Sequence, residues 1–221
     1  MKPLKSSFLL ALFLIVSCES SDVNIQRNGG EKDLPSTKKK NTELWIEIVP
    51  MGNVSKESLL ATLRSVEDGL NISVRISNPI TDISSAYNEQ RKQYNADSLL
   101  ELLCKKRNVT ALRTIGLLNV DIYSDGFNYV FGIASKNEKS TVLSLVRFTG
   151  KFWGLKEDTL LFQKRTRKLV LHELGHTFGL PHCDKGCVMV FANSLAELDA
   201  SSEDFCPACI QKLKSSLESE K

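Results

Sequence analysis

The spacing of apolar and polar positions predicts strands and helices in turn from Leu44 onward. Leu44 to Val49 (LWIEIV) is a β-type run that Pro50 stops. From Ser55 to Leu70, the residues Leu59, Leu60, Leu63, Val66 and Leu70 recur at helical spacing, with Ser55 placed to cap the first turn. Ile72 to Ile76 alternates and predicts a second strand, whereas residues 80–95 are polar and carry no readable period. Ala96 to Lys106 is helical through Leu99, Leu100, Leu102 and Leu103. Three strands follow at Arg113 to Tyr123, Tyr129 to Ala134 and Thr141 to Phe148, divided by turn signals at Asp125-Gly126 and Lys136-Asn137. A long helix runs from Asp158 to Phe178, and its pairs Lys164-Arg165 and Arg167-Lys168 read as a solvated face. No internal repeat is visible.

Before Leu44 the pattern is of another kind. Lys2 and Lys5 precede a nine-residue apolar run, Phe8 to Val16, too short to span a bilayer and suited to a secretory signal peptide. Its exit, Ile15-Val16-Ser17-Cys18, resembles the box at which bacterial lipoproteins are cleaved and lipidated on the cysteine. An ordinary signal peptide with an incidental cysteine is the alternative. On the first reading, residues 1–17 are a leader and Cys18 is the lipidation site. The protein is then exported and anchored to a membrane, on the periplasmic face or the surface of a bacterium. Residues 18–42 are rich in Ser, Asn, Gly, Lys and Asp and read as a tether. Lys38 to Lys40 in that tether could touch anionic headgroups or simply be solvated. Residues 43–221 then form one domain, long enough to bury a sizeable core.

Charge narrows the range of partners. Residues 1–42 hold seven of the 29 basic and four of the 26 acidic residues, which leaves the domain with 22 of each. A nucleic-acid binder would carry a basic excess, so nucleic acid is not expected as a partner. Nothing in the sequence calls for a second copy, and the expectation is a monomer.

Chemistry concentrates in one stretch. All three histidines of the chain lie in Leu171 to Cys183 with the spacing His172-Glu173-x-x-His176-x-x-Gly179-x-x-His182. Histidines four apart on a helix share one face, so His172 and His176 can reach a single cation. Gly179 can turn the chain out of the helix and Pro181 cannot continue it, which returns His182 as a third ligand. Three neutral nitrogens leave one tetrahedral position open for water, as in a catalytic Zn²⁺ site. Glu173 can hold that water without being a ligand and act as general base toward a peptide carbonyl.

A second cluster follows. Cys183 and Cys187 are separated by three residues, and Cys206 and Cys209 by two. Four thiolates in two close pairs meet the requirement of a closed structural zinc; two disulfides are the alternative in an exported protein. The chain would then hold two Zn²⁺, one catalytic and one structural. Cys104 is left over and is expected as a buried apolar thiol.

The extended histidine motif, Met189, Asn193-Ser194-Leu195 and the four cysteines together resemble the archaemetzincins, a family of metzincin-clan zinc peptidases with a second zinc. Gly116-Leu117 to Tyr123, Asn128 to Gly132 and Ser144-Leu145-Val146 are similar to the strands that lead to that family's active-site helix. The resemblance covers residues 43–210. The family usually places four residues between the first two cysteines, where this chain has three. The resemblance implies an α/β (α+β) metzincin-like single domain. Its features would be a mixed twisted sheet, an active-site helix, a Met-turn at Met189 beneath the metal and a C-terminal four-cysteine zinc subsite. Tyr129 to Ala134 would be the edge strand along the cleft, where an extended peptide adds as a further strand. The expected function is zinc-dependent hydrolysis of peptide bonds in a peptide or protein substrate. A lipoprotein that holds zinc and binds peptides without cleaving them, and a zinc amidohydrolase acting on cell-wall material, are the alternatives.

Overall fold

The computed structural model describes residues 44–220, so the leader, Cys18 and the tether lie outside the described residues. Strand β1 (Trp45–Pro50) is buried along its whole length. Helix α1 (Lys56–Leu70) begins where the Ser55 side chain accepts from the Ser58 N–H and ends at Asn71 in the left-handed region. Strand β2 (Ser73–Ile76) follows, then the short strands β3 (Tyr87–Asn88) and β4 (Gln93–Asn95). Asn95 caps helix α2 (Ala96–Cys104) through the Ser98 N–H. Strands β5 (Arg113–Leu118), β6 (Ile122–Tyr123), β7 (Gly132–Ser135) and β8 (Ser140–Ser144) come next. Asp158 caps the long helix α3 (Thr159–Thr177), which is followed by α4 (Leu195–Ala200) and α5 (Pro207–Glu218), the last opening on proline at its first position.

The main sheet has the order β2-β1-β5-β8-β7. All its pairs are parallel except the last, where β7 runs antiparallel to β8 with Gly132 opposite Leu143, so the expected mixed sheet is present. Side chains alternate between its faces. Ile46, Ile48, Leu117 and Leu143 pack with Val66 of α1 and with Val170, Leu171 and Leu174 of α3. Val49, Leu118 and Val142 pack with Leu99 and Leu103 of α2. Parallel strands covered on both faces read as continuous apolar runs, which is why β1 and β5 were legible from sequence. Helices α1 and α3 approach closely because Gly69 presents no side chain: a Cβ there would stand 2.5 Å from Leu171 Cδ2.

Two expectations need correction. The run Arg113 to Tyr123 is two strands, because Asp121 turns the chain out of the main sheet. Its carboxylate is gripped by Arg147 through two hydrogen bonds of 2.6 and 2.8 Å and by Gln93 at 2.9 Å. Strand β6 then joins β3 and β4 in a separate three-stranded sheet, which accounts for the unreadable residues 80–95. Likewise β8 ends at Ser144, and Val146–Phe148 is a single 3₁₀ turn.

Of the basic pairs of α3, Lys164 is exposed as a solvated face requires, but the other three residues are not. Lys168 is only 5% exposed and donates to the carbonyls of Leu198 and Asp199 at 2.9 and 2.7 Å. Arg165 makes a two-pronged ion pair with Asp199, and Arg167 reaches Asp204 at 2.7 Å. These cations fasten α4 and the segment after it to the helix that carries the histidine motif. Pairing partners thirty residues away leave no local sequence signal.

The C-terminal end is also tied down. The Arg113 guanidinium, with its side chain 3% exposed, donates to Glu220 at 3.0 Å and lies 4.0 Å from the ring centre of Phe178, just after α3. Lys139 reaches the other Glu220 oxygen at 2.7 Å. Burial pushes the Glu220 carboxyl upward, but the hydrogen bonds from Lys139 and Arg113 outweigh it and hold the group below the usual carboxylate range. A depressed carboxyl contributes stability that is present above the ordinary glutamate value and lost as pH falls through the folded one. Glu220→Ala strands a buried guanidinium and is expected to lower the unfolding free energy by about 3 kcal/mol. The variant should also lose part of the parent's stability decline below about pH 4. Urea denaturation across pH checks both; equal stability of variant and parent at pH 7 would show that the pair does not hold the terminus.

Candidate active site

Helix α3 carries His172 and His176 one turn apart, and the chain leaves it through Gly179, whose φ of 84° is open to glycine. The return places His182 beside them. One ligand-capable nitrogen from each of the three rings lies within 4.8 Å of the others.

The second nitrogen of each helical ring decides what the first can do. His172 Nδ1 donates to the Val188 carbonyl at 2.9 Å, and His176 Nδ1 donates to the Leu180 carbonyl at 2.8 Å. A carbonyl can only accept, so the ring proton of each neutral imidazole stays on Nδ1 and the lone pair stands on Nε2. Those two Nε2 atoms face each other at 3.0 Å. Protonation is disfavoured: burial and then the neighbouring His176 push His172 down to about 4, and burial lowers His176 and His182. Two facing lone pairs at this distance are reconciled by a shared cation. Nitrogens about 2.0–2.1 Å from a tetrahedral zinc stand a little over 3 Å apart, so the donor set fits that ion.

Glu173 follows His172 and is buried, 7% exposed. Among the described residues nothing hydrogen-bonds to its carboxylate, and burial raises the group to about 8. Packing alone holds it. A Cβ at Gly132 of β7 would stand 3.0 Å from Glu173 Cγ.

The four cysteines also converge. Their sulfurs lie within 4.8 Å of one another, all as free thiols, with Cys183 Sγ 3.8 Å from Cys206 Sγ. Four sulfurs each 2.3 Å from a central zinc stand about 3.8 Å apart, whereas a disulfide needs about 2.05 Å. The three-residue spacing between Cys183 and Cys187 does not prevent this, because Gly186 turns the loop at φ 56°. Cys187 Sγ accepts the Cys206 N–H at 3.2 Å. Cys206 immediately precedes α5, and hydrogen bonding from the Cys209 backbone foremost lowers its thiol to about 7, toward the thiolate. Cys104 is half-buried rather than sealed in apolar surroundings; burial first, then Glu138, pushes its thiol up to about 11.

Residues 187–189 join the two clusters. Val188 gives its carbonyl to His172, and the Met189 carbonyl accepts the Cys183 N–H at 2.9 Å. Met189 is fully buried, with its sulfur against Gly175 so closely that a Cβ there would overlap it. A glycine in mid-helix costs roughly 1 kcal/mol against alanine, so Gly175 was a readable sign of close approach. Val188 and Leu180 were not readable, since backbone carbonyls carry no residue signature. Sequence reasoning also missed Phe191, 51% exposed with its ring centre 5.0 Å from that of His182; Tyr129, expected to open the edge strand, lies before β7, which begins only at Gly132, and its hydroxyl donates to the Asn193 carbonyl at 3.0 Å.

Comparison with known proteins agrees with this geometry. A family model described as Peptidase family M54 matches residues 61–215. The archaemetzincin of Pyrococcus furiosus is 36% identical over 179 residues, covering 78% of this chain and 93% of that protein. That of Thermococcus kodakarensis is 37% identical over 181 residues, with 78% and 97% covered. Among solved structures, the archaemetzincin of Methanopyrus kandleri superposes with a TM-score of 0.69 at 32% identity, covering 81% of this chain and 98% of that one. The archaemetzincin of Archaeoglobus fulgidus gives 0.67 at 31% identity, with 76% and 99% covered. With the histidine and cysteine clusters both in place and the likeness running through nearly the whole length of these relatives, the chain belongs to the archaemetzincins, zinc metallopeptidases of Peptidase family M54.

Proposed function

We propose that this protein hydrolyses peptide bonds with Glu173 as general base, beside a zinc ion held by His172, His176 and His182. A second, structural zinc is held by Cys183, Cys187, Cys206 and Cys209. The observation that carries the reading is the pair of Nε2 lone pairs facing at 3.0 Å, each fixed by a carbonyl on the far side of its ring. Zinc, when bound, supplies a Lewis acid that lowers the pKa of water toward about 7 and favours charge on the carbonyl oxygen.

The chain's own residues do the rest. Glu173 accepts a proton from the attacking water as the new bond forms to the carbonyl carbon. It then gives that proton to the nitrogen as the carbon–nitrogen bond breaks, and so returns to its starting form. Burial raises the carboxyl and so makes it a stronger base than an ordinary glutamate, while the positive charge of a bound zinc would favour its ionised form. Strand β7 is an edge of the main sheet, antiparallel to β8 on one side only, and is available to pair with an extended substrate. Met189 has no chemical step and forms the floor beneath the helix.

The same reading takes residues 1–17 as a leader, Cys18 as a lipidated anchor to a membrane, residues 18–42 as a tether and residues 43–221 as a monomeric catalytic unit at the outer face of that membrane. The composition of the leader and its cysteine exit support it.

Glu173→Gln is expected to keep its zinc and lose roughly 10²–10⁴-fold in turnover on a peptide substrate. Equal turnover of variant and parent would remove Glu173 from the role of base. Metal analysis of the purified protein is expected to give about two zinc ions per chain, falling to about one in Cys206→Ser. Unchanged zinc in that variant would show that the cysteines are not ligands.

A further inference from the structure

We infer that Gly132 is a positioning residue for Glu173: the missing side chain on the edge strand leaves the carboxylate its place beside the histidines. This rests on the role proposed above for Glu173.

Glycine inside a strand weakens it, so the position calls for a reason. Conformation is not that reason, because Gly132 is not among the residues of positive φ. Space is. A Cβ built there would stand 3.0 Å from Glu173 Cγ, 3.1 Å from Glu173 Cδ and 3.0 Å from the Val142 carbonyl oxygen. One of those neighbours must give way to any side chain. The Val142 carbonyl belongs to β8, which is held on both sides, by β5 and by β7 itself. Strand β7 has little freedom to retreat, since the Phe131 carbonyl just before it accepts the Ser144 N–H at 2.8 Å and Ile133 is paired with Val142. The backbone of α3 is fixed by Leu171 against Gly69 and by Met189 against Gly175.

The Glu173 side chain is what remains free to move. No hydrogen bond from the described residues opposes its displacement, and burial is the sole cause of its raised carboxyl. A methyl at residue 132 therefore turns the carboxylate away from where it meets water, while the three imidazoles keep their carbonyl partners.

The test is a double-mutant cycle with two independent readouts. In Gly132→Ala, kcat on a quenched fluorescent peptide is expected to fall by about 10–100-fold, with KM within twofold and zinc content unchanged. On the Glu173→Gln background, the same substitution should cost nothing further. An unchanged kcat, or a loss that multiplies with that of Glu173→Gln, would overturn the inference. Stability gives the readout that needs no activity. Gly132→Ala should lower the melting temperature or block folding, and adding Glu173→Ala should restore most of the loss by emptying the space. If Glu173→Ala restores nothing, the added methyl is opposed by the Val142 carbonyl and Gly132 does not position Glu173. If the parent fails to cleave peptides yet the stability cycle closes as stated, the contact stands and the peptidase role of Glu173 falls instead.

Discussion

Two imidazole nitrogens facing each other with no proton to share are the constraint on which the rest of this structure depends. The arrangement is unfavourable without a cation and favourable with one, and it is imposed from outside the rings. Val188 and Leu180 hold the protons on the far nitrogens, so the orientation of both histidines is set by backbone that comes after the helix. The site therefore needs the segment from Leu180 to Met189 folded as closely as it needs helix α3. Helix α3 carries buried neutral histidines and a buried carboxyl that takes no hydrogen bond from the described residues, a combination that destabilises an ordinary core and suits a metal-assisted hydrolytic site.

The cysteine cluster meets that segment near both ends. Cys183 adjoins His182, Cys187 adjoins Val188, Cys206 immediately precedes α5 and Cys209 lies in its first turn. A tetrahedral ion among the four sulfurs would fix both ends of the loop that orients His172 and returns His182. The cations on α3 serve the same end, because Arg165, Arg167 and Lys168 bind the stretch from Leu198 to Asp204 that leads into Cys206. One helix thus carries both the histidine pair and the side chains that support the stretch leading into the second cluster.

Much of this was legible from the sequence, and the reason differs from place to place. The histidine and cysteine spacings map directly onto ligand geometry, and β1, β5, α1 and α3 announced themselves by apolar runs, helical period and capping residues. What was lost depends on contacts distant in sequence. Asp121 breaks a strand because Arg147 and Gln93 hold it, and the basic pairs of α3 look solvated until their acidic partners some thirty residues on are placed. Gly132 and Gly175 lie between these cases: each is a glycine inside a regular element, and only the fold shows that Glu173 and Met189 fill the space it leaves.

The central claim is one cation shared by three imidazoles through nitrogens whose partners are already set. Anomalous diffraction at the zinc edge from a crystal of the zinc-loaded protein measures this most directly. The account predicts a zinc peak about 2.0–2.1 Å from the Nε2 atoms of His172 and His176 and the same distance from a ring nitrogen of His182, with both helical Nδ1 atoms still bonded to Val188 and Leu180. A zinc-loaded crystal with no peak among the three rings, or with Nδ1 of His172 or His176 turned inward, would contradict it.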